Sequence, residues 1–260
     1  MQFHFQLLRT AFAAVVFLAP AFADPIKLVV PVGNTSTPGN TTDGPDGGVL
    51  DFRVQTVYAR GQFLNSGITG PVLISAFAFR PVPDTGPATV TAAAVAMYAS
   101  TTPYAPTSNG GNTLLTNTFA TNLGPDNTLV YSAAPLALSS PGCRGTPVCP
   151  FDLVFAFDVP FLYDPTQGFL LFDIFFTGLV GTGTGVLDAR EFPSPGGAIA
   201  SLLGRLDSPT GEALELGGDI TQFTVERVPE PSSGVLLLGA LGALLLRRRM
   251  IWRDAARRRR

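Results

Sequence analysis

FDLVFAFDV, residues 151–159, puts Phe151, Leu153, Phe155, Phe157 and Val159 on one face and Asp152 and Asp158 on the other. Successive side chains of a strand point to opposite faces, so this period of two predicts a strand buried on one side. Downstream, FLLFDIFF (residues 169–176) is apolar on both faces apart from Asp173, which predicts a central strand covered on both sides. Upstream, VLISAFAF (72–79) and ATVTAAAVAMY (88–98) are each closed by Pro or by Ser/Thr clusters. The second is alanine-rich, but Thr89, Val90, Thr91 and Val95 are β-branched and turn the reading from helix to strand. A last strand is expected over Ile220 to Val228.

The 28 Gly and 23 Pro of the 260-residue chain suit many turns between short strands. The expected fold is therefore all-β: a single antiparallel β-sandwich, jelly-roll-like, over residues 24–228. Within it, GNTSTPGNTTDGPDGG (33–48) has no apolar periodicity and is expected as a flexible loop or arm. GLVGTGTG (178–185) has no Lys after it and opens no helix, so it reads as a hairpin or loop and not as a phosphate cradle.

The two ends read as addresses. At the start, one basic residue, Arg9, precedes an apolar run from Ala11 to Leu18, and Ala21-Phe22-Ala23 follows as an A-x-A cleavage pattern. A signal peptide over 1–23 is expected, with the mature chain beginning at Asp24. At the other end, Pro229-Glu230-Pro231 precedes an unbroken apolar run, 234–246, and then Arg247, Arg248 and Arg249. A helix over that run is about 20 Å long against a hydrocarbon core of about 30 Å, a short span that the arginines would hold on the cytoplasmic side.

Charge is divided along the chain. Residues 24–228 carry eight basic against seventeen acidic side chains, a net of −9, whereas 247–260 carry eight Arg and one Asp. An acidic body is a poor match for a polyanion, so nucleic acid is not expected as a partner.

The Pro-Glu-Pro, the apolar run and the arginine cluster, in that order, resemble a PEP-CTERM sorting signal over 229–260. With the leader, which predicts export by the secretion machinery and cleavage by signal peptidase, the resemblance makes transient membrane insertion the expectation. It also implies recognition by an exosortase, a membrane-embedded cysteine protease-transpeptidase that cuts near the Pro-Glu-Pro and releases or re-attaches the body. Met250 to Arg260 depart from the family pattern, which ends soon after the basic cluster. In the body, SAFAFR (75–80) and PFLYDPTQGFLLFDI (160–174) are similar to a pattern in uncharacterised domains that carry this signal and that resemble carbohydrate-binding or lectin-like sandwiches in fold, which does not by itself give a function.

The residues leave little for catalysis. The only histidine is His4, inside the leader, so Ser-His, Cys-His and His-ligated zinc chemistry have no material in the mature chain. Cys143 and Cys149 stand in CRGTPVC, and in an exported protein such a pair is expected as a disulfide. Two carboxylates across a groove could serve a glycosidase, and Asp152, Asp158, Asp164 and Asp173 are the candidates; solvated outer-face acids are the plainer reading. Asp43, Asp46 and Asp51 faintly resemble a calcium loop but lack the glutamate and spacing of an EF-hand. Tyr58, Tyr98, Tyr104, Tyr131 and Tyr163 could include a sugar-stacking platform, although such rings more often pack strands together.

The sequence thus leads to an exported cell-surface or exopolysaccharide-matrix protein, an exosortase substrate with a structural or adhesive role, with no enzyme activity, cofactor or metal expected. The alternatives are a carbohydrate-binding module, a secreted glycoside hydrolase and a permanently anchored type I membrane protein.

Overall fold

The computed structural model describes residues 24–44, 50–108, 111–183, 187–192 and 197–228. The expected leader (1–23, with Ala21 and Ala23) lies outside them, as does the tail with Pro229, Glu230, Pro231, the 234–246 run and Arg247 to Arg249. Among the described residues no helix is long and apolar enough to cross a membrane.

The described chain is predominantly β, in antiparallel sheets. In chain order the strands are β1 (Ile26–Val30), β2 (Thr41–Asp43), β3 (Leu50–Tyr58), β4 (Val72–Phe79), β5 (Ala88–Ala92), β6 (Ala94–Thr102), β7 (Thr128–Ala133) and β8 (Leu136–Ser140). They continue with β9 (Leu153–Tyr163), β10 (Phe169–Gly183), β11 (Leu187–Glu191), β12 (Ile199–Arg205), β13 (Ala213–Glu215), β14 (Gly217–Asp219) and β15 (Thr221–Arg227). Two short helices, α1 (Arg60–Asn65) and α2 (Phe119–Asn122), interrupt them.

One sheet runs β1-β15-β4-β9, and a larger one runs β13-β12-β3-β10 and then divides along the length of β10. The first half of β10 pairs with β6, which pairs with β7; the second half pairs with β5, which pairs with β8. The division point is a bulge between Phe176 and Leu179, where Gly178 has φ +61 and an added Cβ would press on Ala93. Ala93, the residue between β5 and β6, gives its N–H to Thr177 O at 2.9 Å. Residues 88–98 are therefore two strands and not one, because the bulged partner re-aims the chain there. The Gly-rich segment expected as a loop is likewise strand as far as Gly183.

The two sheets face each other across an aromatic core. Phe172 of β10 meets Phe77 of β4 at 5.2 Å, Phe157 of β9 at 5.8 Å and Phe223 of β15 at 6.0 Å between ring centroids. Each such pair adds about 0.5–1.5 kcal/mol beyond the area it buries. Phe63 of α1 is fully buried against Tyr163 and Phe223, so this short helix packs into the same core.

The other face of the larger sheet is covered as well. Val57, Phe169, Leu171, Ala200 and Leu202 form a second apolar cluster with Phe119 of α2 and Leu115 before it. This cover explains why FLLFDIFF is apolar on both sides: its even-numbered residues face the opposite sheet, and Phe169 and Leu171 face the cover. Two buried amides clamp it. Gln55 Nε2 donates to Phe119 O at 3.0 Å, and Asn122 Nδ2 donates to Gln55 Oε1 at 2.9 Å.

The arm expected to be flexible over 33–48 is tied down through residue 44. Asn34 is buried and donates to Pro38 O, Gly39 N donates to Asp188 Oδ1 at 2.8 Å, and β2 pairs with β11 in a three-stranded sheet, β14-β11-β2. Its polar, Gly-rich composition serves close backbone approach: a Cβ on Gly39 would collide with the Ala189 carbonyl.

Candidate functional site

Among the described residues, three places that join polar groups to apolar surface bear on function. The first is a buried ion pair at the base of the arm. Arg80 Nε donates to Asp188 Oδ2 at 2.8 Å, and Arg80 Nη2 donates to Thr37 O at 2.8 Å. The Arg80 guanidinium lies 4.9 Å from the Phe151 ring centre. Burial pulls the guanidinium down from its ordinary value, and Asp188 pulls it back up. Nε and Nη2 are engaged internally and fasten the arm to β11, while Nη1 is buried without a partner.

The second is on the outer face of the larger sheet. Arg53 projects from β3 between the rings of Phe119 and Phe175, 4.3 and 4.5 Å from their centres, and forms a two-point pair with Asp173. Tyr98, on β6, meets Phe175 edge-on at 5.8 Å. Tyr98 and Phe175 are half-buried and Leu129 of β7, cross-strand from Tyr98, is exposed, so this part of the face is open to solvent.

The third is a cavity of about 330 Å³ between the sheets. Phe79, Phe155, Ile174, Phe176, Leu179 and Val54 supply apolar wall, and Leu50, 40% exposed, and Asp51 bring it to the surface. At its polar end Thr56 and Ser201 hydroxyls pair with each other at 3.1 Å, and Ser201 also reaches Gly217 O. Tyr58, another lining residue, is hydrogen-bonded to Thr221. Asp219 remains: its Oδ1 is buried and has no partner. Burial raises its carboxyl well above the ordinary 3.8, and Asp43, Asp188 and Glu215 raise it further.

The residues singled out from sequence do not assemble into one site. Cys143 and Cys149 form the expected disulfide, with Cα atoms 5.2 Å apart. Asp24 is exposed. Of the four candidate glycosidase acids, Asp152 accepts from Ser140, Asp158 from Ser132 N, Asp164 from Thr166, and Asp173 from Arg53. Asp158 and Asp173 lie within strands, Asp152 and Asp164 beside them, and no two of the four share a partner; the second oxygen of Asp152, Oδ1, is buried without one. Asp51 accepts from Gly178 N and Asp43 from Gly44 N, while Asp46 lies outside the described residues. Among the described residues no group of three or more His, Cys, Asp or Glu side chains is placed to hold a metal ion.

The tyrosines divide. Tyr58 and Tyr163 are core residues whose burial pushes their phenols far up, Tyr131 packs on Phe155, and Tyr98 and Tyr104 are half-buried. Asp188 and Asp219 were not singled out by sequence. Their only signal is an acid inside a strand-like, Gly-flanked run, and many solvated acids share it. No family model matches the chain, and no curated protein matches it.

Proposed function

We propose that the chain is an exported protein, sorted and processed by an exosortase, with a structural or adhesive and non-catalytic role at the cell surface or in an exopolysaccharide matrix. The observation that carries this reading is the order Pro229-Glu230-Pro231, apolar 234–246, Arg247 to Arg249, in a chain that opens with a signal-like leader. The short span suits temporary retention while a protease acts more than permanent anchorage.

The body is compatible with such a cargo. Numbering β1, β3, β4, β6, β7, β9, β10 and β15 from 1 to 8 turns the sheets into 1-8-3-6 facing 2-7-4-5. We read this as a single jelly-roll-like sandwich, with β5/β8 and β12/β13 added at the margins of the larger sheet. A disulfide supports an oxidising destination. The occupation of Asp152, Asp158, Asp164 and Asp173 in separate structural roles supports a non-catalytic body over a hydrolase.

Intact mass and terminal-peptide mapping of protein recovered from the native envelope and medium test the proposal. A chain that ends near Pro231 is the expected result. A chain still carrying Arg247 to Arg260 overturns it in favour of a permanent type I anchor. A second reading, a carbohydrate-binding module, is favoured by one observation, the Tyr98, Phe175 and Arg53 patch on an open sheet face. Retention on polysaccharide that is lost in Tyr98→Ala would support it.

A further inference from the structure

The cavity between the sheets is built unlike a packing defect. Protein interiors hold few voids larger than a water molecule, and an engineered apolar cavity of about 150 Å³ already takes up benzene. This one is about 330 Å³, at the lower end of ligand pockets. At about 30 Å³ per occupant atom group, it holds roughly ten non-hydrogen atoms.

Its chemistry restricts the occupant. The wall is mostly aliphatic and aromatic, and the lining hydroxyls of Thr56, Ser201 and Tyr58 are already hydrogen-bonded within the protein. Asp219 Oδ1 is the polar atom left without a partner, and an unmade buried hydrogen bond is costly. Its acidic lining residues are Asp43, Asp51 and Asp219, and among the described residues no Lys or Arg lines it. A head group that donates hydrogen bonds and carries positive charge satisfies both facts; a carboxylate or phosphate head satisfies neither.

We propose that this cavity is a binding site for a small amphiphilic amine, its hydrocarbon body lying between the sheets and its ammonium group donating to Asp219. The site is independent of the sorting signal and of the outer-face aromatic patch. It gives the body a small-molecule ligand whatever its final location.

The test is calorimetric titration of the purified full-length chain with octylamine, octanol and octanoate, each below its aggregation threshold. Octylamine is expected to bind at one site, octanol about tenfold more weakly, a difference of about 1.4 kcal/mol, and octanoate not measurably. Val54→Trp, which fills the cavity, should abolish octylamine binding. Asp219→Asn, a milder change that keeps the fold, should bring octylamine and octanol to equal affinity. No octylamine binding, equal binding of all three compounds, or binding unchanged in both variants would each overturn the proposal.

Discussion

Arg53 and Asp173 meet on the outer face of the larger sheet through two parallel hydrogen bonds, Nε to Oδ1 at 2.8 Å and Nη2 to Oδ2 at 2.6 Å. The residues are not cross-strand partners: Arg53 lies opposite Phe175, and Asp173 opposite Gln55. The arginine therefore reaches diagonally, which places its planar group between the Phe119 and Phe175 rings. The side chains are 14% and 3% exposed, so the carboxylate has almost no access to water and depends on the guanidinium.

Removing one partner should therefore cost much more than removing both. Arg53→Met leaves a buried carboxylate unpaired and is expected to destabilise by about 3–5 kcal/mol. Arg53→Met combined with Asp173→Leu should recover most of that loss, because two apolar side chains suit a face already lined by Phe119 and Phe175. Urea denaturation of the two single variants and the double variant measures the coupling. Additive losses would show that the pair is not an energetic unit.

The disulfide closes a small loop just before β9. With Cys143 and Cys149 both changed to Ser, the loop-entropy argument gives a loss of about 2 kcal/mol. Both cysteines are buried, so the lost packing adds to it. In thermal melts the reduced parent should match the double variant, and both should unfold below the oxidised parent. A reductant-insensitive melt would mean that the two thiols are not bridged.

These relationships also show where the sequence is legible. The alternation from Phe151 carries into β9, where Leu153, Phe155, Phe161 and Tyr163 are buried. It misplaces Val159, which is 50% exposed, because the register with β4 jumps from Ala76↔Ala156 to Ile74↔Phe161 and residues 158–160 turn out to solvent, while Phe157 keeps its place against the core. A period-two count has no means of seeing a bulge, since the cause lies in another strand. The same limit hid the break at Ala93. The functional candidates were still less legible. Arg80 and Asp188 are 108 residues apart, and the orphaned oxygen of Asp219 is defined by what surrounds it in space. The reading of the two termini rests on a pattern that is local and ordered along the chain, and both lie outside the described residues.

Gly39 tests how the arm is held. A Cβ there would overlap the Ala189 carbonyl and come within 2.8 Å of Asp188 Oδ1. Gly39→Ala should cost about 1–3 kcal/mol by overpacking and should free the arm from β11. Limited proteolysis should then cut between Val32 and Thr42 in the variant and spare the parent. Equal resistance in both would mean that the β2–β11 pairing holds without the Gly39 contact.

Asp219 makes a prediction about pH whose sign is fixed by its surroundings. Desolvation, followed by Asp43, Asp188 and Glu215, raises its carboxyl well above 3.8 in the folded protein. The folded state then binds this proton more tightly than the unfolded chain does. The stability it contributes is complete below pH 3.8 and is lost as pH rises from there through the folded value. Asp219→Asn removes the ionisation and keeps the size. At low pH the variant and parent should be equally stable. As pH rises the variant should become the more stable of the two, and the gap should level off once the parent carboxyl has ionised. Glu215 is raised in the same direction by burial and by Asp43 and Glu191. It persists in both proteins, so the difference between their urea midpoints across a pH series isolates Asp219. A gap that does not change with pH would show that the Asp219 carboxyl titrates alike in the folded and unfolded chains, and that its missing hydrogen-bond partner is supplied by solvent.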